Sequence, residues 1–233
     1  MSSVFKNQSF PSRVAHTEFV NKGLPRAAES VLAVGGLIAL MPILLICALL
    51  VYVSSPGPIF FRQRRVGRYG ETFTLYKFRT MLVSVNGLPI TAATDFRITP
   101  VGRFLRKWKL DELPEFYNVL RGDMSFVGPR PEVPELVDFS NPAWKRILKA
   151  RPGITDPITL RLRNEEAVLA TVEDKEGYYR EIVQPFKIKG YLEYLESKSL
   201  KTDIKIVAQT AKVILIPRTA PPNLEEIRLS YSK

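Results

Sequence analysis

From residue 30 to residue 61 the chain carries no charged side chain, and residues 30–53 read SVLAVGGLIALMPILLICALLVYV. A helix of that length would be roughly 36 Å long, and a hydrocarbon core is ~30 Å thick, so length alone permits one membrane crossing. Pro42 sits at the centre of the run, where it has no N–H to donate and crowds the carbonyl of Ile38; Gly35 and Gly36 weaken the same half. A broken helix in lipid needs other partners for the backbone groups it frees. The flanks are basic on both sides: Lys6, Arg13, Lys22 and Arg26 before, Arg62, Arg64, Arg65 and Arg68 after. Positive charge favours the cytoplasmic side. One kinked transmembrane helix and a helix–break–helix that enters and leaves by the same face both fit the length, and the flank charges favour the second. Each arm would then hold ~12 residues, or ~18 Å, about half the bilayer. The run starts too late, and SSPGP follows it too awkwardly, for a cleaved secretory signal.

Beyond this segment the chain is strongly basic. Residues 62–109 hold eleven Lys and Arg against two acids, Glu71 and Asp95, and the whole chain is at +11. Such a balance seeks anions: nucleic acid, an anionic membrane surface or phosphorylated substrates. Cys47 and His16 are the only residues of their kinds, Cys47 inside the apolar run and His16 near the start. No internal disulfide, His-based triad or Cys/His zinc site can be built from them. Chemistry must come from carboxylates, hydroxyls, lysines or a hard metal held by oxygen.

The body of the chain reads as α/β but mostly helical: a compact domain of short helices with one small β-hairpin. FFRQRRVG and TFTLYKFRTM supply β-formers around a turn at Gly67 and Gly70. Thr99 followed by Pro100 predicts a capped helix over 100–108. Asp111 is a candidate cap for a second short helix, with Pro114 in its first turn and Arg121-Gly122 ending it. GDMSFVGPRPE (122–132) is too rich in Gly and Pro for a regular element. Asn141-Pro142 starts a helix stopped by RPG at 151–153, RNEEAVLA (163–170) is helical, and TDIKIVAQTAKVIL (202–215) repeats apolar residues at helix spacing. Residues 90–100 read as loop and the last residues as an extended tail. The expected division is a basic flank and interfacial segment over 1–29, a membrane hairpin over 30–53 broken at Pro42, a catalytic domain over 54–216 and a tail over 217–233. Neither a GxGxxG nor a Walker motif is present.

KLDELPEF (109–116) places Asp111 and Glu112 at the edge of the basic stretch. The plain alternative is that Asp111 only caps a helix and Glu112 only favours its dipole. The surroundings argue for more. Arg103 and Arg106 stand one turn upstream, and Arg121, Arg130 and Arg151 lie beside glycines or prolines, where backbone can approach a ligand. Clustered arginines match phosphate oxygens bidentately. Two carboxylates among phosphate-binding groups suit Mg²⁺ shared with a diphosphate, and an aspartate can attack phosphorus to form an acyl phosphate. Cations would neutralise the charge that an anionic nucleophile otherwise meets on an anionic substrate. The residues by themselves reach as far as membrane-bound phosphoryl transfer through aspartate.

FFRQRRVG, FTLYKFRTM, TDFRITPVGRFLRKWKLDELPEFYNVLRGDMSFVGPRPE and RPGIT, in order over about residues 24–155, resemble the bacterial sugar transferases, the small monotopic phosphoglycosyl transferases. The resemblance implies transfer of a sugar-1-phosphate from a UDP-sugar to undecaprenyl phosphate at the cytoplasmic face of the bacterial inner membrane. UMP leaves first, and a polyprenyl-diphospho-sugar initiates a glycan that downstream glycosyltransferases extend. It implies Asp111 as nucleophile, Glu112 working with Mg²⁺ (both carboxylates being metal candidates), and Arg106 and Arg151 as phosphate-binding residues, with Arg130, Lys77 and Arg79 as weaker candidates whose plain alternative is solvated charge or salt bridges. It also implies a re-entrant helix broken at a proline, here Pro42, although Met41 stands where the family often has serine. After Thr155 the match fades. That region would shape sugar or nucleotide selectivity; Glu165 and Glu166 could reach the site, but read as surface helix residues.

Two other readings compete. A membrane-anchored nucleic-acid-binding protein would use Phe60, Phe61, Tyr69, Tyr76 and Phe78 as stacking surfaces among the arginines, but no binding module is recognisable and the apolar run goes unexplained; no nucleic-acid partner is expected. A non-catalytic scaffold holding anionic lipid would be indifferent to loss of Asp111.

Overall fold

In a computed structural model, which describes residues 22–83, 95–162 and 165–215, the apolar run is folded into two helices that meet at a bend of 62°. The first, α1, spans Arg26–Ala39, and the second, α2, Met41–Ser54. Leu40 is the hinge residue (φ −91°, ψ 3°), and Pro42 lies in the first turn of α2, where its missing N–H costs nothing. The bend comes from the proline ring, which α1 cannot accommodate as a continuation; Gly35 and Gly36 remain helical within α1. Each arm is 14 residues, slightly longer than the sequence predicts, because α1 begins at Arg26 and α2 runs from Met41 to Ser54. No single helix among the described residues is long and apolar enough to cross a membrane.

Both arms expose large apolar side chains. Val31, Ile38, Leu45, Leu49, Tyr52 and Val53 are each more than 60% exposed. Large exposed apolar side chains clustered on one pair of helices fit an interface with lipid or protein. The opposite sides of the arms are fastened to the rest of the molecule. Gly36 lets Phe116 lie against α1, since a Cβ there would be 2.6 Å from the Phe116 ring. Glu29 is buried and accepts hydrogen bonds from the Phe126 N–H (3.2 Å) and Ser125 Oγ (3.5 Å). At the far end of α2, Arg79 donates to the carbonyls of Ser55 (2.6 Å), Pro56 (2.6 Å) and Val51 (3.4 Å).

The hairpin forms where the sequence places it. Strand β1 (Phe60–Val66) pairs antiparallel with β2 (Thr72–Phe78), with Phe60 opposite Phe78 and Val66 opposite Thr72. Tyr69 (φ 60°) and Gly70 (φ 80°) turn the chain between them. Helix α3 (Pro100–Lys107) starts as expected: the Thr99 side chain accepts from the Gly102 N–H at 2.9 Å. Helix α4 (Glu115–Arg121) ends at Gly122 in a left-handed conformation (φ 90°).

The 122–132 segment departs from expectation. It contains a strand, β3 (Ser125–Val127), which runs parallel to β4 (Gly153–Thr155) across a crossover that includes α5 (Pro142–Ile147), capped by the Asn141 side chain. Glycine is what allows this pairing: a Cβ on Gly153 would lie 2.1 Å from the Gly128 nitrogen. Short helices α6 (Pro157–Arg161), α7 (Glu165–Leu169) and α8 (Lys175–Tyr178) follow; a π-helical turn then leads into α9 (Gln184–Ser197), and α10 (Leu200–Leu215) comes last. The main core gathers Trp144, Ile147, Leu169, Phe186 and Leu195 around β3. Helix α10 has the expected span, but the side it buries carries Asp203 and Ile206, while Leu200, Ile204 and Val207 face outward. Asp203 fixes that orientation by accepting from Tyr194 Oη (2.8 Å) and the Leu24 N–H (3.0 Å). Parts of the expected 90–100 loop, the segment before residue 22 and the tail lie outside the described residues.

Candidate active site

The acid pair sits on a one-turn 3-10 helix, Leu110–Glu112, between α3 and α4. Lys109 turns the chain into it with a left-handed backbone (φ 55°), a conformation that non-glycine residues adopt at a cost and that recurs at functional sites. Asp111 does not cap α4, contrary to the helix-cap reading: the residue at that position is Pro114, and no side chain caps it. The 3-10 turn consumes the residues that a cap would need. Instead Asp111 is buried, and its Oδ1 has no hydrogen-bond partner among the described residues.

Its neighbour is paired with cations through one oxygen. Glu112 Oε1 receives Arg130 Nη2 at 2.5 Å and Lys77 Nζ at 3.0 Å, with Lys109 Nζ at 3.8 Å. Lys77 also approaches Glu115 Oε1 at 3.2 Å. Burial alone would raise the Glu112 carboxyl, but Arg130, Lys77 and Lys109 overcome it and hold the group well below the usual carboxylate range. Asp111 goes the other way. Burial pushes its carboxyl up, and the adjacent Glu112 charge adds to that, against the pull of Lys77, Lys109 and Arg106. Two side-by-side acids are thus split into a firmly anionic partner and one whose ionised form is less stabilised, the pattern expected where acids have different tasks.

The supporting shell comes from four elements. Lys77 is on β2. Arg130 follows β3 and is steadied by the Ile154 carbonyl at 3.2 Å. Arg106, in the last turn of α3, donates from Nε to Thr80 Oγ1 (2.8 Å) and from Nη1 to Glu166 Oε1 of α7 (3.0 Å). Asn118, fully buried on α4, donates to the Thr74 carbonyl (2.7 Å) and accepts from the Tyr76 N–H (3.1 Å), which locks α4 to β2.

Of the residues singled out from sequence, Asp111, Glu112, Lys77, Arg130 and Arg106 are brought together. Arg79 is directed to the end of α2, its guanidinium committed to backbone carbonyls. Arg151 lies elsewhere in the charge pattern: its guanidinium is depressed by burial and by the nearby Arg68 and Arg26 charges, with Glu29 opposing. Sequence reasoning did not single out Lys109, Glu115, Asn118 or Thr80. Glu115 is the least exposed acid of the group, 1% exposed, and burial raises its carboxyl; a third acid three residues after the pair was the available signal.

No group of three or more His, Cys, Asp or Glu side chains among the described residues is placed to hold a metal. A hard cation such as Mg²⁺ does not need one, since it takes one or two carboxylates and completes its shell with substrate phosphates and water. The buried, unpartnered Asp111 Oδ1 beside Glu112 fits that donor set.

The class is thus a bent apolar helix pair fastened to a domain that carries a buried acid pair ringed by cations. Comparison gives the class a name. The family model described as bacterial sugar transferase matches residues 20–217, and the chain belongs to that family. It is 39% identical over 201 residues to the UDP-glucose:undecaprenyl-phosphate glucose-1-phosphate transferase of Escherichia coli, covering 82% of this chain and 40% of that protein. It is 34% identical over 197 residues to the UDP-N-acetylgalactosamine-undecaprenyl-phosphate N-acetylgalactosaminephosphotransferase of Aeromonas hydrophila (82% and 44%). With the exopolysaccharide production protein ExoY of Sinorhizobium fredii it shares 32% over 212 residues, 83% of this chain and 86% of that one. The chain therefore spans about two-fifths of the length of the first two relatives.

Proposed function

We propose that this protein transfers a sugar-1-phosphate from a UDP-sugar to undecaprenyl phosphate, in two steps through a phosphosugar bound to Asp111. An Asp111 carboxylate oxygen attacks the phosphorus that carries the sugar. The bond from that phosphorus to the bridging oxygen breaks, and UMP leaves with the electron pair. A phosphate oxygen of the polyprenyl acceptor then attacks the same phosphorus and frees Asp111, which leaves a polyprenyl-diphospho-sugar. Arg106, Arg130, Lys77 and Lys109 offset the negative charge gathered around the transfer. Glu112 holds Lys77 and Arg130 in place, and Asp111 with Glu112 would hold Mg²⁺, which when bound supplies a counter-charge to the diphosphate. The exposed apolar sides of α1 and α2 fit a re-entrant hairpin in the cytoplasmic leaflet of the inner membrane, and the product is the lipid carrier on which later glycosyltransferases build.

The observation that carries this reading is the asymmetry of the acid pair. One oxygen of Glu112 is paired with three cations, while Asp111 keeps a buried oxygen without a hydrogen-bond donor. The relatives named for undecaprenyl-phosphate sugar transfer support the donor and acceptor classes. The test is incubation of the full chain with Mg²⁺ and a panel of UDP-sugars in the absence of lipid. Intact-mass spectrometry is expected to show a phosphosugar adduct on Asp111 with stoichiometric UMP, and Asp111→Asn is expected to lose both. UMP that appears only on addition of polyprenyl phosphate, with no adduct, would establish direct transfer instead.

A further inference from the structure

The segment after Thr155, where the family resemblance fades, returns to the candidate site through an ion pair with Arg106. Helix α7 places Glu165 and Glu166 side by side, and the two acids hold different cations. Glu165 Oε2 pairs with Lys187 Nζ at 2.8 Å, on the buried side of α9. Glu166 Oε1 pairs with Arg106 Nη1 at 3.0 Å, sixty residues away in sequence. Val168 and Leu169 are buried, so the helix backbone is anchored on its far side. The Glu166 side chain is not: it is 48% exposed, against 20% for Arg106.

Resting on the reading above, in which Arg106 binds donor phosphate, we propose that Glu166 is an internal competitor for that site: its carboxylate occupies the seat on the Arg106 guanidinium that an oxygen of a nucleoside diphosphate takes on binding. A carboxylate and a phosphate present the same paired oxygens to a guanidinium fork. The Nε of Arg106 is already held by Thr80, so Nη1 is a ligand-facing donor whose present partner is a movable acid. Displacement needs only rotation of a half-exposed side chain, because Glu165, Val168 and Leu169 keep α7 in place. A half-exposed ion pair is weak, and its loss should change diphosphate affinity by about two- to fivefold. The arrangement keeps a cationic site charge-balanced when empty and raises the donor concentration needed to half-fill it.

The experiment measures binding of UDP, with Mg²⁺, by calorimetry to the full chain in detergent, with every form carrying Asp111→Asn so that no phosphorus–oxygen bond is made. Glu166→Gln is expected to bind UDP about two- to fivefold more tightly at low salt, with the gain shrinking as salt rises and disappearing when Arg106→Ala is added. Glu165→Gln removes the same charge one residue away and is expected to give a smaller gain; an equal gain would reduce the effect to net charge and overturn the proposal. Unchanged or weaker binding by Glu166→Gln, or a gain that persists without Arg106, would overturn it too. An Asp111 adduct in otherwise unaltered protein combined with no Glu166 effect would sink the competition alone. UDP binding with the Glu166 effect but no adduct would sink the nucleophile alone, and no UDP binding by any form together with no adduct on unaltered protein would remove both.

Discussion

Gly102 is the tightest point in the frame that holds Arg106. A Cβ at this position would lie 2.0 Å from the Thr80 carbonyl oxygen, 2.6 Å from its carbon and 2.7 Å from the Thr80 Cα. All three are backbone atoms, so no side-chain rotation relieves the clash. To reach an ordinary contact distance, α3 and the chain leaving β2 must separate by roughly 1.4 Å. That separation would break two links: the Thr99 N–H to Thr80 carbonyl bond at 3.0 Å and the Arg106 Nε to Thr80 Oγ1 bond at 2.8 Å. Overpacking against backbone costs about 1–3 kcal/mol of stability, and displacement of a positioning group by about 1 Å can cost on the order of 100-fold in rate. Gly102→Ala is therefore expected to slow adduct formation on Asp111 by ~10- to 100-fold while lowering the thermal midpoint by about 2–12 °C. Single-turnover intact-mass kinetics with a UDP-sugar that the parent protein accepts would measure the first, and scanning fluorimetry in detergent the second. Adduct formation at the parental rate would refute the idea that the α3–Thr80 contact sets the position of Arg106.

Other outcomes follow from the same structure. Arg79→Met leaves the carbonyls of Ser55, Pro56 and Val51 without their charged donor and is expected to destabilise the fold by about 3 kcal/mol, or ~6–12 °C in thermal midpoint; Arg79→Lys should recover only part of this, because an ammonium cannot fork across two carbonyls. Asp156, fully buried, accepts from the N–H groups of Ile158 (2.7 Å) and Thr159 (2.9 Å) at the start of α6, yet burial still raises its carboxyl. The folded state therefore binds that proton more tightly than the unfolded chain, so the contribution is fully present below about pH 3.9 and is lost as pH rises through the raised value. The midpoint of Asp156→Asn, compared with the parent from pH 4 upward, is accordingly expected to gain on the parent as pH rises; a relative loss would reverse the sign of the argument. For topology, Ser3→Cys in intact cells is expected to resist membrane-impermeant thiol reagents, and labelling from outside would turn the hairpin into a crossing helix.

Elements with strong local chemistry were legible. The hairpin followed from Phe and Tyr flanking two glycines, α3 from Thr99-Pro100, and the bend from Pro42, all signals contained within a few residues. What stayed hidden depends on distant partners or on very short elements. Strands β3 and β4 are three residues each, framed by Gly and Pro, and exist because Gly128 and Gly153 let two segments far apart in sequence meet closely. The acid pair was visible as a pair, but its inequality was not. Glu112 draws on Lys77 and Arg130, which lie 35 and 18 residues away, and Asp111 is defined by the donors it lacks. Arg79 shows the reverse: an arginine in a basic motif reads as a ligand group, whereas the fold spends it on the end of α2.

The fastening of both arms of the bent pair has a mechanical consequence. Glu29 ties one foot to β3, and Arg79 ties the other to the exit of β2, on the same framework that carries Lys77 and Arg130. With the hairpin immersed and Asp111 reacting as proposed, that carboxylate rides at a fixed altitude over the bilayer, like an instrument on a two-legged mount. One extra helical turn in either leg, ~5.4 Å, would tilt or lift that mount, and the phosphate of a lipid acceptor could no longer be met without deforming the membrane beneath it.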